Sequence, residues 1–180
     1  MIVIEADPGN PPVQFAVQEI LAALRDEGYP AKILLKEERN QYRQNTHISL
    51  QIDTAAGLKP QGYFLTTSAN DKGNPQFSIT GVDAAGVMYG GLHLAEAVRI
   101  EKTLSDIQDT RQQPYLAKRG LKITIPTEAR MSGSSAVGDS EVKSFSEMTR
   151  IDFWTEFLDT MARYRYNVLM LRTDAGAENR

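Results

Sequence analysis

Apolar and polar residues alternate with two distinct periods along the N-terminal third of the chain. Between positions 13 and 27 the apolar residues recur three or four places apart, which predicts an amphipathic helix. The β-branched run Ile2-Val3-Ile4 predicts a strand before it, and the breakers in segment 7–12 predict a turn between the two. Two further strands are predicted over 32–35 and 47–52, and in the second the apolar residues alternate onto one face.

A hairpin and a second helix are predicted next. Segments 62–67 and 76–80 have strand composition and are separated by a polar turn, so they predict two antiparallel strands. Asp83 is a suitable cap for a helix that is predicted to run to about Arg99.

Two glycines within this helix indicate how it packs. Gly86 and Gly90 are four positions apart and therefore share one face. Glycine inside a helix costs about 1 kcal/mol relative to alanine, so its use there needs a compensating reason. We predict that the two glycines let the helix lie close against the sheet.

The C-terminal part of the chain has the pattern of a single βαβ unit. Segment 101–113 is polar and is predicted to be a linker. Strands are predicted over 120–125 and 168–171, with a strongly amphipathic helix over 152–165 and a long Gly- and Ser-rich loop over 131–146. One such unit leaves an exposed sheet edge and an uncovered apolar face, so it cannot close a core. We therefore expect this chain to be the front end of a longer α/β protein.

Composition and charge narrow the class of protein. The 180 residues are 41% hydrophobic and 24% charged, which is typical of globular domains. The net charge of −3 argues against a nucleic-acid partner, and no stretch approaches the length of a membrane-spanning helix, so no membrane partner is expected. The absence of cysteine excludes disulfides and thiolate metal sites. The first residues lack the basic and apolar regions of a secretion signal.

Three motifs, in order along the chain, resemble parts of known enzymes. They are Gly81-Val82-Asp83-Ala84-Ala85-Gly86 with its following helix, Arg119-Gly120-Leu121-Lys122-Ile123, and the stretch from Phe153-Trp154 to Asn167-Val168-Leu169. Together they resemble the non-catalytic N-terminal domain and the start of the catalytic (β/α)8 barrel in two glycoside hydrolase families. These are the family 20 β-N-acetylhexosaminidases and the family 67 α-glucuronidases, and the match is closest to bacterial, family 67-like hydrolases. The resemblance covers nearly the whole chain.

The resemblance implies an α+β fold in two parts. Residues 1–113 would form a small mixed β-sheet packed by two helices, like domain 2 of the hexosaminidases. Residues 114–180 would form the first βαβ unit of a truncated (β/α)8 barrel. In such enzymes the catalytic carboxylates lie on later barrel strands, so no catalytic residue and no activity is expected of this chain alone.

The same resemblance implies the partners and the surroundings of the protein. The expected partners are the carbohydrate substrate of the full-length enzyme and the remainder of the catalytic barrel, and no cofactor is expected. A secreted or periplasmic location follows from the resemblance. Self-association through the exposed part of the barrel is a further expectation, because its uncovered apolar surface needs a partner.

Candidate substrate-binding residues follow from where barrel enzymes place their ligands, at the C-terminal ends of the strands. Those ends carry Thr127-Glu128-Ala129-Arg130 and Arg172-Thr173-Asp174. Family 20 enzymes have an arginine after the first barrel strand that contacts sugar hydroxyls. By resemblance, Arg130 is the candidate ligand, with Glu128 and Asp174 beside it. A guanidinium suits this role because its fixed donors bridge adjacent hydroxyls or a carboxylate. The alternative is a structural salt bridge from Arg130 to Glu128 or Asp174.

Metal and nucleotide sites are not expected. His47 and His93 are isolated from each other and from carboxylates at HExxH-like spacing, which argues against a zinc site. The Gly81–Gly86 motif lacks the middle glycine of a phosphate loop and follows an antiparallel hairpin, which argues against a nucleotide site.

Three functional hypotheses remain open on the sequence. The first is the N-terminal portion of a glycoside hydrolase that acts on O-glycosidic bonds in carbohydrate degradation. The second is a non-catalytic module that binds carbohydrate or another protein. The third is a self-associating chain. The presence of further βα units and an acidic pair in the coding sequence past Arg180 would distinguish the first from the second.

Overall fold

The chain divides between Ala117 and Lys118 into two units, Met1–Ala117 and Lys118–Arg180. The structure, a computed structural model, describes residues 1–34, 38, 41–126 and 148–174, apart from the side chains at 124–126 and 173–174. The predicted loop over 131–146 lies outside the described residues.

The first unit is a mixed β-sheet with two helices. Its strands are β1 (Ile2–Glu5), β2 (Ala31–Ile33), β3 (Thr46–Ile52), β4 (Tyr63–Ala69), β5 (Pro75–Gly81) and β6 (Thr110–Gln112), and its helices are α1 (Pro11–Asp26) and α2 (Ala84–Glu101). The six strands lie in the order β2-β1-β3-β5-β4-β6. The first four in this order run parallel, and β4 is antiparallel to both β5 and β6. The predicted α+β fold is confirmed, and so is the predicted hairpin.

Both helices share one hydrophobic core with the sheet. The alternation in β3 places Ile48 and Leu50 in this core, as the sequence predicts. The helix residues that join them recur at helical spacing, and they are Val13, Ala16, Val17, Ile20, Ala23 and Leu24 of α1 with Val87, Leu94, Ala95 and Val98 of α2. Since the buried residues of both helices and of the strands form one cluster, and the two helices also pack against each other, the unit has two layers.

Helix α1 begins earlier than the sequence predicts. Its first two residues are Pro11 and Pro12, which the sequence pattern assigns to the preceding turn. The first backbone N–H groups of a helix have no intrahelical partner, so proline loses nothing there and its fixed φ suits the helix. Asn10 O accepts the bond from Gln14 N at 2.9 Å, and Asn10 precedes the first turn.

The prediction of a linker over 101–113 is wrong. The segment contains a 3₁₀ turn, Leu104–Asp106, and strand β6, which extends the sheet beside β4. Ile107 is only 5% exposed and belongs to the core. A three-residue edge strand that pairs on one side only buries little apolar surface. Its sequence can therefore be polar, without the alternation of apolar and polar residues that predicts a strand.

Asp109 fixes β6 to β4 and makes this contact sensitive to pH. Its Oδ1 accepts from Thr67 N at 2.6 Å and from Thr67 Oγ1 at 2.7 Å. The Thr67 hydroxyl bond, followed by the Thr67 backbone bond, lowers the pKa of Asp109 below its usual 3.8. Folding therefore favours the ionised carboxylate, and the stability it contributes is present at neutral pH and is lost as pH falls below about 4.

We expect Asp109→Asn to be less stable than the parent at neutral pH, with the difference shrinking in acid. Urea unfolding midpoints from about pH 7 down to about pH 3 measure this. Thr67→Val is the matched control, because it removes the hydroxyl bond and keeps the backbone N–H donor. A difference between parent and Asp109→Asn that is the same at all pH values would contradict the assignment.

The second unit is a βαβ arrangement. Strands β7 (Gly120–Pro126) and β8 (Val168–Asp174) pair in parallel, and helix α3 (Ile151–Arg163) lies between them in sequence. On α3, Phe153 and Trp154 make an edge-to-face contact at 5.3 Å, and Trp154 Nε1 donates to Met148 O at 2.8 Å. Across the described parts of both units, no helix is long and apolar enough to cross a membrane.

Candidate functional site

The C-terminal ends of β7 and β8 lie side by side in register. Pro126 pairs with Asp174, and one layer below them Thr124 pairs with Arg172. Asp174 is therefore at the strand end where barrel enzymes bind ligands. The structure describes its backbone but not its side chain. Glu128 and Arg130 lie outside the described residues altogether, so their roles stay predictions.

The register divides the β7–β8 pair into two unlike faces. Positions paired across parallel strands share a face, and the face changes at each step along the strand. One face carries the apolar pairs Leu121 with Leu169 and Ile123 with Leu171. The other carries Lys122 paired with Met170, and then Thr124 paired with Arg172. The sequence marked Arg172 as a strand-end residue, but its face and its neighbours follow only from the register.

The opposite end of the pair is fixed by hydrogen bonds between Arg119 and the segment just before β8. Arg119 N donates to Asn167 Oδ1 at 2.8 Å, and Arg119 Nε donates to Arg165 O at 2.7 Å. A Cβ added to Gly120 would lie 2.4 Å from Val168 O, so only glycine allows the two strands to approach at this position. These bonds give Arg119 a structural role within the second unit, where they position β7 against β8.

The Gly81–Gly86 motif lets the start of α2 approach neighbouring backbone closely, which positions the helix. Asp83 Oδ1 accepts from Gly86 N at 2.7 Å and caps the helix, as predicted, while Asp83 Oδ2 accepts from Gln61 N at 2.9 Å. A Cβ on Gly86 would lie 2.3 Å from Gly62 O, and one on Gly81 would lie 2.2 Å from Val87 N. Asp83 therefore binds two backbone N–H groups and joins the start of α2 to Gln61.

The histidines also have structural partners. Tyr63 Oη and His93 Nδ1 are hydrogen-bonded at 2.8 Å, which links β4 to α2, and the two rings meet edge to face. His47 Nε2 lies 2.7 Å from Tyr42 O. Among the described residues, no group of three or more histidine, aspartate or glutamate side chains is arranged to hold a metal ion.

Electrostatic shifts occur at surface ion pairs as well as at Asp109. The hydrogen bond from Arg150 lowers the pKa of Asp152 in the first turn of α3. The hydrogen bond from Lys32 Nζ to Glu38, at 2.8 Å, raises the pKa of Lys32 above its usual 10.5. Both pairs join residues close in sequence near the surface, so local structure accounts for both pKa shifts.

Comparison with known proteins shows a structural likeness without a match in sequence. No protein-family model and no curated protein matches the sequence. A solved structure of a GH138 enzyme targeting pectin rhamnogalacturonan II superposes with a TM-score of 0.69 at 19% sequence identity. The likeness covers 95% of this chain and 24% of that one. The chain has a glycoside hydrolase-like fold. The likeness does not support family 20 or family 67 in particular.

Proposed function

We propose that this chain is the N-terminal portion of a glycoside hydrolase that cleaves O-glycosidic bonds in carbohydrate degradation. In this proposal Met1–Ala117 is a non-catalytic accessory domain, and the β7–α3–β8 unit begins a (β/α)8 catalytic barrel. The catalytic carboxylates would lie on barrel strands that this chain does not contain. Arg130, Glu128 and Asp174 would bind substrate at the strand ends in the complete enzyme.

The exposed apolar surface of the second unit carries this proposal. Met170 is 56% exposed, Leu171 49% and Leu121 37%, although all three lie in strands. Strands with apolar residues on both faces are typical of parallel sheets that are covered by helices on one side and by more strands on the other. Further βα units would supply that cover, and the chain spans about a quarter of the length of the GH138 enzyme it resembles.

Enzyme assays test whether the complete protein hydrolyses glycosides and this chain alone does not. We expect the purified 180-residue chain to hydrolyse no aryl glycoside, because no carboxylate pair for acid–base work is expected in it. The protein encoded by the complete gene should hydrolyse at least one member of a panel of aryl α- and β-glycosides. Circular dichroism of the 180-residue chain is the control that it is folded. Turnover by the folded short chain would overturn the proposal.

The second candidate, a non-catalytic module, predicts a different outcome. A natural stop codon after Arg180, with glycan binding and no hydrolysis, would favour it. Self-association is the third candidate, and the exposed Leu121, Met170 and Leu171 motivate it. Light scattering of the 180-residue chain tests the third candidate, because a monomer at high concentration would exclude self-association through these residues.

A further inference from the structure

Gln61 has a left-handed backbone conformation that no helix end explains. In the described part of the chain, three residues other than glycine have positive φ: Gln61 at 67°, Lys102 at 59° and Arg165 at 61°. Lys102 is the C-cap of α2, and Arg165 directly follows the C-cap of α3, where left-handed residues are common. Gln61 lies between β3 and β4 and ends no helix, so its conformation has a different cause.

The conformation of Gln61 belongs to a tight turn. Gly62 N donates to Lys59 O at 2.9 Å, which closes a four-residue turn with Pro60 second and Gln61 third. Proline in second place and positive φ in third place are characteristic of a type II turn, whose third residue is usually glycine or asparagine. Glutamine is strained there, because its Cβ crowds the following carbonyl oxygen. Strain of this kind persists where surrounding interactions compensate for it.

Gln61 is bound through both its backbone and its side chain. Gln61 N donates at 2.9 Å to Oδ2 of Asp83, the residue that also caps α2. Gln61 Nε2 donates to Ala117 O at 3.0 Å. Ala117 is the last residue of the first unit. A glycine at position 61 would relieve the strain but could not make the bond to Ala117.

A second hydrogen bond joins the same turn to the same stretch of chain. Gln113 Oε1 accepts from Lys59 N at 3.2 Å. Residues 113–117 therefore form a loop that is attached to the turn at both ends. In the middle of this loop Tyr115 is 96% exposed and Leu116 is 60% exposed, so burial of these two side chains contributes little to holding it.

We propose that Gln61 is a clasp residue, which holds loop 113–117 against turn 59–62 and so fixes the point where the chain leaves the first unit. When the clasp is closed, Lys118 follows from an anchored position. When it opens, the loop adds a tether of at most about 17 Å before Lys118. The clasp is a conformational device within Met1–Ala117, and it does not depend on the proposed function.

Chymotrypsin cleavage after Tyr115 tests the clasp in the 180-residue chain, because a protease cuts such a loop when it is open. We expect Gln61→Gly and Gln61→Ala to speed this cleavage by the same factor, about 2- to 10-fold, through loss of one hydrogen bond. Gln61→Ala should also have a lower urea midpoint than Gln61→Gly, because alanine keeps the backbone strain that glycine relieves. Mass spectrometry of the fragments identifies the cleavage site.

Gln113→Ala tests the other attachment and should speed the same cleavage. Gln14→Ala is the matched control, since it removes a bond of the same chemistry, from Gln14 Nε2 to Asp7 O at 3.1 Å, at the start of α1. It should leave cleavage after Tyr115 unchanged. Amide exchange gives a second measurement, and it should accelerate over 113–118 in the Gln61 variants and stay at the parent rate in the control.

Two results would overturn the clasp. The first is cleavage after Tyr115 at the parent rate in Gln61→Gly. The second is faster cleavage together with an equal acceleration of exchange in α1 and β3, which would mean that the whole first unit unfolds more often. Neither result bears on glycoside hydrolysis, so the clasp and the proposed function fail independently.

Discussion

Gly86→Ala is expected to destabilise the first unit by about 3 kcal/mol, although alanine is the better helix former. Helix propensity alone predicts a gain of about 1 kcal/mol. Packing predicts the opposite, because the new Cβ would lie 2.3 Å from Gly62 O. Gly62 O also accepts from Val82 N at 3.1 Å, so moving it away would break a backbone hydrogen bond. The two physical effects therefore differ in sign, and the experiment decides between them.

Urea unfolding followed by circular dichroism measures this loss, with amide exchange of α2 assigning it to the first unit. Gly9→Ala is the control with the same chemical change. Its Cβ would come no closer than 3.4 Å to Asp7 Oδ1, so a change within about 0.5 kcal/mol is expected. Stability of Gly86→Ala equal to or above that of the parent would refute the close contact between α2 and the start of β4.

Ile79→Ala is expected to cost about 4 kcal/mol, and Gly90→Ala about 2 kcal/mol, but the double variant should cost less than their sum. Ile79 is fully buried in β5, and its Cγ2 would lie 2.6 Å from a Cβ at Gly90. Removing that methyl group makes room for the alanine at position 90. Recovery is only partial, because Tyr63 Cδ2 would remain 3.0 Å from the new Cβ.

Unfolding free energies of the two single variants and the double variant give the coupling between them. We expect a favourable coupling of at least about 1 kcal/mol. Ile4→Ala combined with Gly90→Ala is the control cycle, since β1 lies two strands away from β5 and the two changes should add. Additivity in both cycles would mean that Gly90 and Ile79 are not in contact.

Local sequence patterns predicted most elements of the first unit. The spacing of apolar residues in α1 and their alternation in β3 are set by residues near one another in the chain, and each periodicity matches one backbone geometry. The Asp83 cap and the close approach at Gly86 and Gly90 were also predicted, because a capping side chain and a helical glycine have few other uses. Strand β6 was missed because its stability comes from β4 and Asp109, which lie outside its own three residues.

The candidate site was predicted less completely than the fold. The resemblance indicated Arg130, Glu128 and Asp174, and of these only the backbone position of Asp174 is described. The sequence placed Arg172 near the same strand end, but a strand's faces exchange if its register shifts by one residue. Only the pairing of β7 with β8 therefore shows that Lys122 and Arg172 lie on the same face of the strand pair.

The sequence by itself determined where most of the helices and strands lie, that Asp83 caps α2, and that the chain holds an α+β part followed by a βαβ part. The tertiary structure alone decided the strand order β2-β1-β3-β5-β4-β6, the membership of β6, and the shared face of Lys122 and Arg172. The physical reason is the range of the interactions. Periodicity and capping act within a few residues, whereas strand order and register are set by hydrogen bonds and burial between segments that are distant in the chain.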